Sequence, residues 1–565
     1  QAAKEIADIS LPQLSDLVGR HLVRLDHKRG RYTLHELMRQ YGAEKLADLS
    51  KIEDEIRQRH ARFFCEFLAH READLKNAKQ KETLSEIRAD RANIWVAWQF
   101  AAQHPHHVSL ADAVAPLGIA CQLRGWIEDG YNLFTQTDQA LAKYRDQPGD
   151  LLCLLHLNVW RCWFALWLGH PMEEMLGNIQ RMLAAIPPSP ALQPILALYH
   201  LVAEEAFLDA GKRDLARDHG DQALGLYKGL DDAWGQANAL TQLGTVCWNV
   251  GHYAEAQRYI EESLALRRQI GDRLGEAISL DRLGLLLMHQ GQLELSNHHL
   301  EQAVDLFSQL GERFRLADAL ENMGSNWLEM GQLNDARRKY AETDALFNEL
   351  GLRHLGVTVL KALTAYASVH MGEYEQADRE GKTAVALSRE YGHTRSEGLA
   401  LITLGMAAVA LGDEMAAAGH LDAGTDHLRA INQLEELSQG IGVQALIAYR
   451  QEDLEKAHQL ALTALTISTE LRGLASTPDY ALSALALLLA HDGDDEQAAS
   501  VYQLVLAEPF GAASRWFADL CGRFIPYSPP AGFMLPEERW AAIEQLSRSF
   551  FASNKNTFTE PSKPT

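Results

Sequence analysis

The chain has 565 residues, 47% of them apolar, and a formal net charge of -23 from 53 basic and 76 acidic side chains. That length exceeds one compact domain, so several domains or an extended repeat array are expected. So acidic a chain repels polyanions, which argues against nucleic acid and anionic membranes as partners; only residues 1–50, with eight Lys or Arg against seven Asp or Glu, escape the excess.

Six cysteines lie singly in apolar helical patterns, as reduced thiols of a cytoplasmic protein do, without a disulfide framework or a CxxC knuckle. No apolar run reaches the ~18 residues of a membrane span, and the first residues lack the layout of a signal peptide. The chain opens at Gln1 inside a helical pattern, so it is expected to be a fragment of something larger.

In chain order, "LPQLSDLVGRHLV" reads as a helix with Pro12 in its first turn, "VRLD" as a strand, "HKRG" as a turn and "RYTLH" as a second strand. Helix followed by hairpin is the second half of a winged helix. Residues 59–101 read as further helices. The basic turn (Arg24, Lys28, Arg29, Arg31) has the charge of a DNA-contacting wing, an assignment that the acidic body opposes.

A period then takes over. "GHYAEAQRYIEESLALRRQIGD", "GQLELSNHHLEQAVDLFSQLGE", "GQLNDARRKYAETDALFNELGL" and "GEYEQADREGKTAVALSREYGH" start at Gly251, Gly291, Gly331 and Gly372, with Gly211 before and Gly412 after. The spacing is 40 or 41 residues. Glu452 and Gly493 continue it, and Gly244, Gly284, Gly324 and Gly405 form a second small position seven residues before a unit glycine. The unit glycine is expected to end the first helix of a pair in a left-handed cap, and the second to let the two helices cross closely. Neither helix buries its apolar stripe alone, so the units must stack. The pattern resembles the tetratricopeptide repeat in a longer version.

The expected fold is therefore all-α: a right-handed α-solenoid of tetratricopeptide-like helix pairs, preceded by a partial winged helix with a small β-hairpin. The divisions are 1–50 winged helix, 51–110 helical linker, 111–203 degenerate repeats, 204–510 repeats, 511–552 C-terminal capping helices and 553–565 a loose tail.

The stretch "LVGRHLVRLDHKRGRYTLHELMRQYGAEKL" resembles the end of the winged helix in STAND-class signal-transduction NTPases, the group of NB-ARC, AfsR-like and MalT-like regulators. "RHARFFCEFLAHREADL" through "EIRADRANIWVAWQFA" is similar to the helical linker of its bacterial members. The family carries a Met-His-Asp motif whose histidine reaches a phosphate of bound ADP. The matching triplet is Leu34-His35-Glu36, so the resemblance implies that His35, with Glu36, senses nucleotide in the parent protein. No GxxxxGK[ST] loop is present, so ADP or ATP with Mg belongs to an upstream NTPase domain, and the chain itself holds no cofactor and no catalytic residue.

The histidine groups His104, His106, His107 and His298, His299 lack further ligands at metal spacing, and Trp160, Trp163 and Trp167 read as a seam between helices. The tetratricopeptide likeness implies a concave groove lined by the first helix of each unit, at Asn238, Thr241, Thr245, Trp248, Asn249, Asp281, Met288, His289, Asp318, Glu321, Ser325, Glu329 and Lys361. Its acidic middle favours a basic or polyhydroxyl partner. The resulting expectation is a sensor: the repeats bind a protein, peptide or small-molecule trigger, and the winged helix relays this to the NTPase domain, with an oligomer of the parent on activation. The alternatives are a constitutive scaffold for partner proteins and a fragment of a winged-helix transcription regulator.

Overall fold

The computed structural model describes residues 2–26, 30–104, 108–142, 148–249, 251–350, 353–525 and 532–553. Lys28 and Arg29 of the hairpin turn, His106 and His107, and the tail from residue 554 lie outside these. The described chain is helical throughout except for one two-stranded sheet, and it divides into two units, residues 1–243 with 265–273, and residues 244–264 with 274–565.

In the first unit, Ser10 opens the helix Leu11–Gly19 with a capping box: its backbone N–H donates to Gln13 Oε1 at 2.8 Å while its hydroxyl accepts from the Gln13 N–H. Strands Val23–Asp26 and Arg31–Leu34 pair antiparallel, Val23 opposite Leu34 and Asp26 opposite Arg31. The helix Glu36–Ala47 follows directly. Arg31 is not a free basic side chain: its guanidinium donates to both carboxylate oxygens of Asp90, one at 3.0 Å, and so ties the hairpin to the helix Gln80–Gln103. That bidentate pair removes Arg31 from the set of candidate phosphate contacts.

Three helix pairs complete this unit, Ala111–Arg124 with Ile127–Leu141, Pro148–Trp167 with Glu173–Ala185, and Gln193–Asp209 with Arg213–Gly229. Gly125, Gly169 and Gly211 take positive φ where the first helices end, so the irregular 44- and 42-residue spacings are those of true pairs. Aromatic rings fill the seams. Trp98 stacks on Phe134 and donates its indole N–H to Thr137 Oγ1 at 2.8 Å, and Trp160 and Trp163 are buried. Trp167 departs from that stripe and is 47% exposed.

In the second unit the pairs run Arg273–His289 with Leu293–Leu310, Arg313–Glu329 with Leu333–Leu350, Arg353–His370 with Tyr374–Tyr391, Thr394–Leu411 with Glu414–Ala430, Leu434–Arg450 with Leu454–Leu471, and Asp479–His491 with Asp495–Leu506. The second small position works as its spacing implies. A Cβ on Gly284 would lie 2.6 Å from Leu300 Cγ, and one on Gly405 2.5 Å from Leu421 Cγ, so each first helix is pressed against its partner at a point that only glycine allows. Thr394–Leu411 is long and apolar enough to cross a membrane, but 72% of it is buried inside this unit, as in a core helix.

The chain then folds back over its own repeats. Helices Pro509–Ala513 and Arg515–Leu520 set Phe510, Trp516 and Phe517, and Pro536–Ser553 sets Trp540 and Ile543, into the core made by the helix pairs. The Trp516 indole donates to the Met406 carbonyl at 3.1 Å. His370, buried, has Nδ1 2.6 Å from Ser514 Oγ and Nε2 3.0 Å from the Tyr480 hydroxyl. Arg539, 1% exposed, donates to the Ala475 and Leu504 carbonyls and to Asp479, with Glu508 3.7 Å away.

Candidate functional site

His35 sits at the N-cap of Glu36–Ala47, where its ring Nδ1 accepts from the Leu37 N–H at 3.3 Å. Glu36 accepts from Arg39 at 2.6 and 2.9 Å and from Gln40 at 3.2 Å; the Arg39 guanidinium holds its carboxyl below the usual range. The imidazole is thus fixed by its own helix, with its other nitrogen outside this cap.

The thirteen groove positions separate into groups. Asn238 and Thr241 both accept from the buried Arg267 guanidinium, at 2.9 and 3.2 Å, and serve the interior of the first unit. Asn249 donates to the Thr245 carbonyl on its own helix. Trp248 meets His289 edge-on at 4.8 Å, while Met288 is core. Ser325 lies 3.3 Å from the Tyr340 hydroxyl, and Lys361 pairs with Asp344 at 3.0 Å. Glu329 is covered by the segment between Leu454–Leu471 and Asp479–His491: it is 5% exposed and accepts from Ser476 Oγ at 2.9 Å. Within the second unit, Met288 and Glu329 are therefore buried and do not line a groove.

Asp281, Asp318 and Glu321 do come together. Asp281 lies on Arg273–His289, the other two one pair later on Arg313–Glu329, and with Ile278, Arg282, Phe307, Arg315 and Asn322 they line a pocket of about 220 Å³. Asn322 donates to Asp281 Oδ1 at 2.8 Å and so orients that carboxylate. Among the described residues, Arg282, Arg315, Asp318 and Glu321 share no ion pair or hydrogen bond with one another, although they feel each other's charge. Burial dominates the titration of Arg315, Asp318 and Glu321. It pushes Asp318 up to about 7 against the pull of Arg315, and Glu321 up to about 7 with the neighbouring Asp318 adding to the rise. Asp281 is raised for the same reason, and the Arg315 guanidinium is lowered. Arg395, which acts on Glu321 from a distance, is itself paired with Glu436 at 2.6 Å.

The carboxylates of this pocket follow from the repeat register; Arg282 and Arg315 do not. Arg282 follows Asp281 directly, and Arg315 lies three residues before Asp318, so one helical turn separates it from that acid. That i, i+3 spacing of an arginine ahead of a groove acid was the available signal. No group of His, Cys, Asp and Glu among the described residues has the arrangement of a metal site.

No protein-family model matches the chain, and no curated protein matches it. Solved structures do. A Rap protein complexed with competence and sporulation factor is 14% identical, with 62% of this chain and 98% of that one covered at a TM-score of 0.48. A STAND signal-transduction ATPase with a tetratricopeptide repeat sensor from Pyrococcus horikoshii is also 14% identical at a TM-score of 0.48; 75% of this chain is covered, and it spans 59% of that protein's length. NprR in complex with its cognate peptide NprX is 13% identical, with 62% and 97% covered and a TM-score of 0.45.

Proposed function

We propose that the second unit is the recognition module of a sensor, with the Asp281–Asp318–Glu321 pocket as its ligand site. The observation that carries this is a cavity lined by charged groups of both signs, of which Arg282, Arg315, Asp318 and Glu321 form no ion pair or hydrogen bond with one another. These side chains are half-buried in an open pocket, and a ligand that pairs them replaces solvent-screened charge with direct charge-assisted hydrogen bonds. We further infer, from the likeness of residues 17–46 to the STAND winged helix, that the headpiece relays occupancy to an NTPase domain of the parent protein, with His35 and Glu36 at its nucleotide. Relay requires two states that the ligand binds unequally.

The pocket reading is tested by thermal-shift screening of a small-molecule and peptide library against the 565-residue chain and its Asp318→Asn/Arg315→Gln variant. Compounds that raise the melting temperature of the unaltered chain but not of the variant support it. A library in which every stabilising compound acts equally on both rejects it. The relay has its own test: in a protein that contains the NTPase domain, His35→Ala is expected to release ADP faster and to raise basal output severalfold. Unchanged ADP retention removes the role assigned to His35.

A further inference from the structure

The composition of the pocket restricts what can occupy it. Three carboxylates, Asp281, Asp318 and Glu321, face two guanidinium groups, Arg282 and Arg315, around about 220 Å³. That volume is below the roughly 300–1,000 Å³ of sites for drug-sized ligands, so it suits a single residue and not a nucleotide or a folded segment. A phosphate would meet both arginines but also three acids. A polyamine would satisfy the acids and be repelled by the arginines, and a sugar would leave the charges without counter-ions. With all five groups ionised the lining carries one excess negative charge, so its occupant should bear both signs without being net anionic. Ile278 and Phe307 add an apolar wall along which a methylene stem can lie.

We propose that this pocket takes a basic amino-acid residue with a free carboxylate, its side-chain cation against Asp281, Asp318 and Glu321 and its carboxylate against Arg282 and Arg315. The assignment rests on the reading of this pocket as the sensor's ligand site. A carboxylate on a guanidinium and a guanidinium on a carboxylate are both charge-assisted, and the two ends fix orientation in a way that neither charge alone achieves. Free arginine or lysine and the C-terminal basic residue of a peptide share this chemistry.

Calorimetric titration of the 565-residue chain separates these cases, with L-arginine, Gly-Gly-Arg, Gly-Gly-Arg amide and agmatine as probes. L-Arginine, Gly-Gly-Arg or both should bind, the pattern assigning the source as free amino acid or peptide terminus. The amide and agmatine, which lack the carboxylate, should bind at least about tenfold more weakly, the loss expected for even one of the charge-assisted hydrogen bonds to Arg282 and Arg315. Arg315→Gln should abolish that discrimination, and the isosteric Glu321→Gln should weaken every probe; circular dichroism melting confirms that both variants fold. Agmatine or the amide binding as tightly as the free acid overturns the assigned class but leaves the pocket a site for simple cations. Binding by none of the four overturns the class as well, and the library comparison then decides the pocket reading independently.

Discussion

Asp318 and Glu321 share a physical predicament with consequences for both ligand and stability. Both are raised to about 7 by burial, so each is partly protonated near neutrality. A cationic group binds their ionised forms, so affinity for it should rise between about pH 6 and about pH 8, with proton release on binding, as titration in buffers of different ionisation enthalpy will show. The charges facing them from the two packed helices are Asp281, Arg282 and Arg315, with Arg395 further off, and of these only Asp281 is another carboxyl, itself raised by burial. Glu329 illustrates the cost of the same effect. Burial lifts it to about 8, far above its unfolded value of about 4.5, so the folded chain holds a proton that the unfolded chain gives up. Its contribution to stability is therefore lost as pH climbs from about 4.5 towards about 8. Glu329→Gln, which keeps an acceptor for Ser476, should flatten that decline and raise the melting temperature at pH 8, by an amount equivalent to no more than a few kcal/mol. At this scale the sequence is only partly legible. The repeat register places Asp281, Asp318 and Glu321, but nothing local distinguishes them from Glu329, whose cover arrives from Ser476, 147 residues away.

Among the elements, the period is written in two glycine series, and each has a separate physical cause. The unit glycines take positive φ at the end of a first helix, and where the series loses its glycine, Glu452 adopts the same left-handed conformation at φ 61°. The corner between units obeys the same rule. Asp231, Gly271, Gly311, Gly392, Asn432 and Arg472 all stand at positive φ, so at Asp231, Asn432 and Arg472 the series continues without the glycine that announces it. The close-approach series gives way to alanine in other units, at Ala365, Ala445 and Ala486, but at Gly284 and Gly405 the neighbouring leucines leave no room for a Cβ. Gly405→Ala places a methyl 2.5 Å from Leu421 Cγ and should destabilise the second unit by about 1–3 kcal/mol, the usual cost of overpacking, read as a lower midpoint in urea. The hairpin and its helix were equally legible, because Pro12, Gly30 and the strand alternation are local signals. The returning segment was not, since burial of Phe510, Trp516 and Arg539 against distant helices leaves no period to read.

For the second unit as a whole, the returning segment changes how a repeat array holds together. Arg539 is encased by two carbonyls, Asp479 and Glu508, and its removal leaves two acids buried near Glu329 without their counter-ion. Arg539→Ala should cost about 3–5 kcal/mol, the penalty of breaking a buried ion pair from one side. The expected result is early hydrogen exchange in Pro536–Ser553 and in residues 472–478; unchanged protection there would show that packing of Trp540 and Ile543 alone retains the helix.

The same fold-back has a temporal consequence. A stacked array in which every unit touches only its neighbours can grow as the chain emerges during synthesis. Here Tyr253 donates to the Arg472 carbonyl at 2.7 Å, Tyr374 to Asp519 at 2.7 Å, and a Cβ on Gly291 would meet Pro536, so early units of the second half keep contacts 145 to more than 200 residues downstream. Such non-local closure raises contact order and slows folding. The first helix pairs of this unit must therefore wait, partly uncovered, until residues 472–553 have been made, a stage at which chaperones would be expected to hold them.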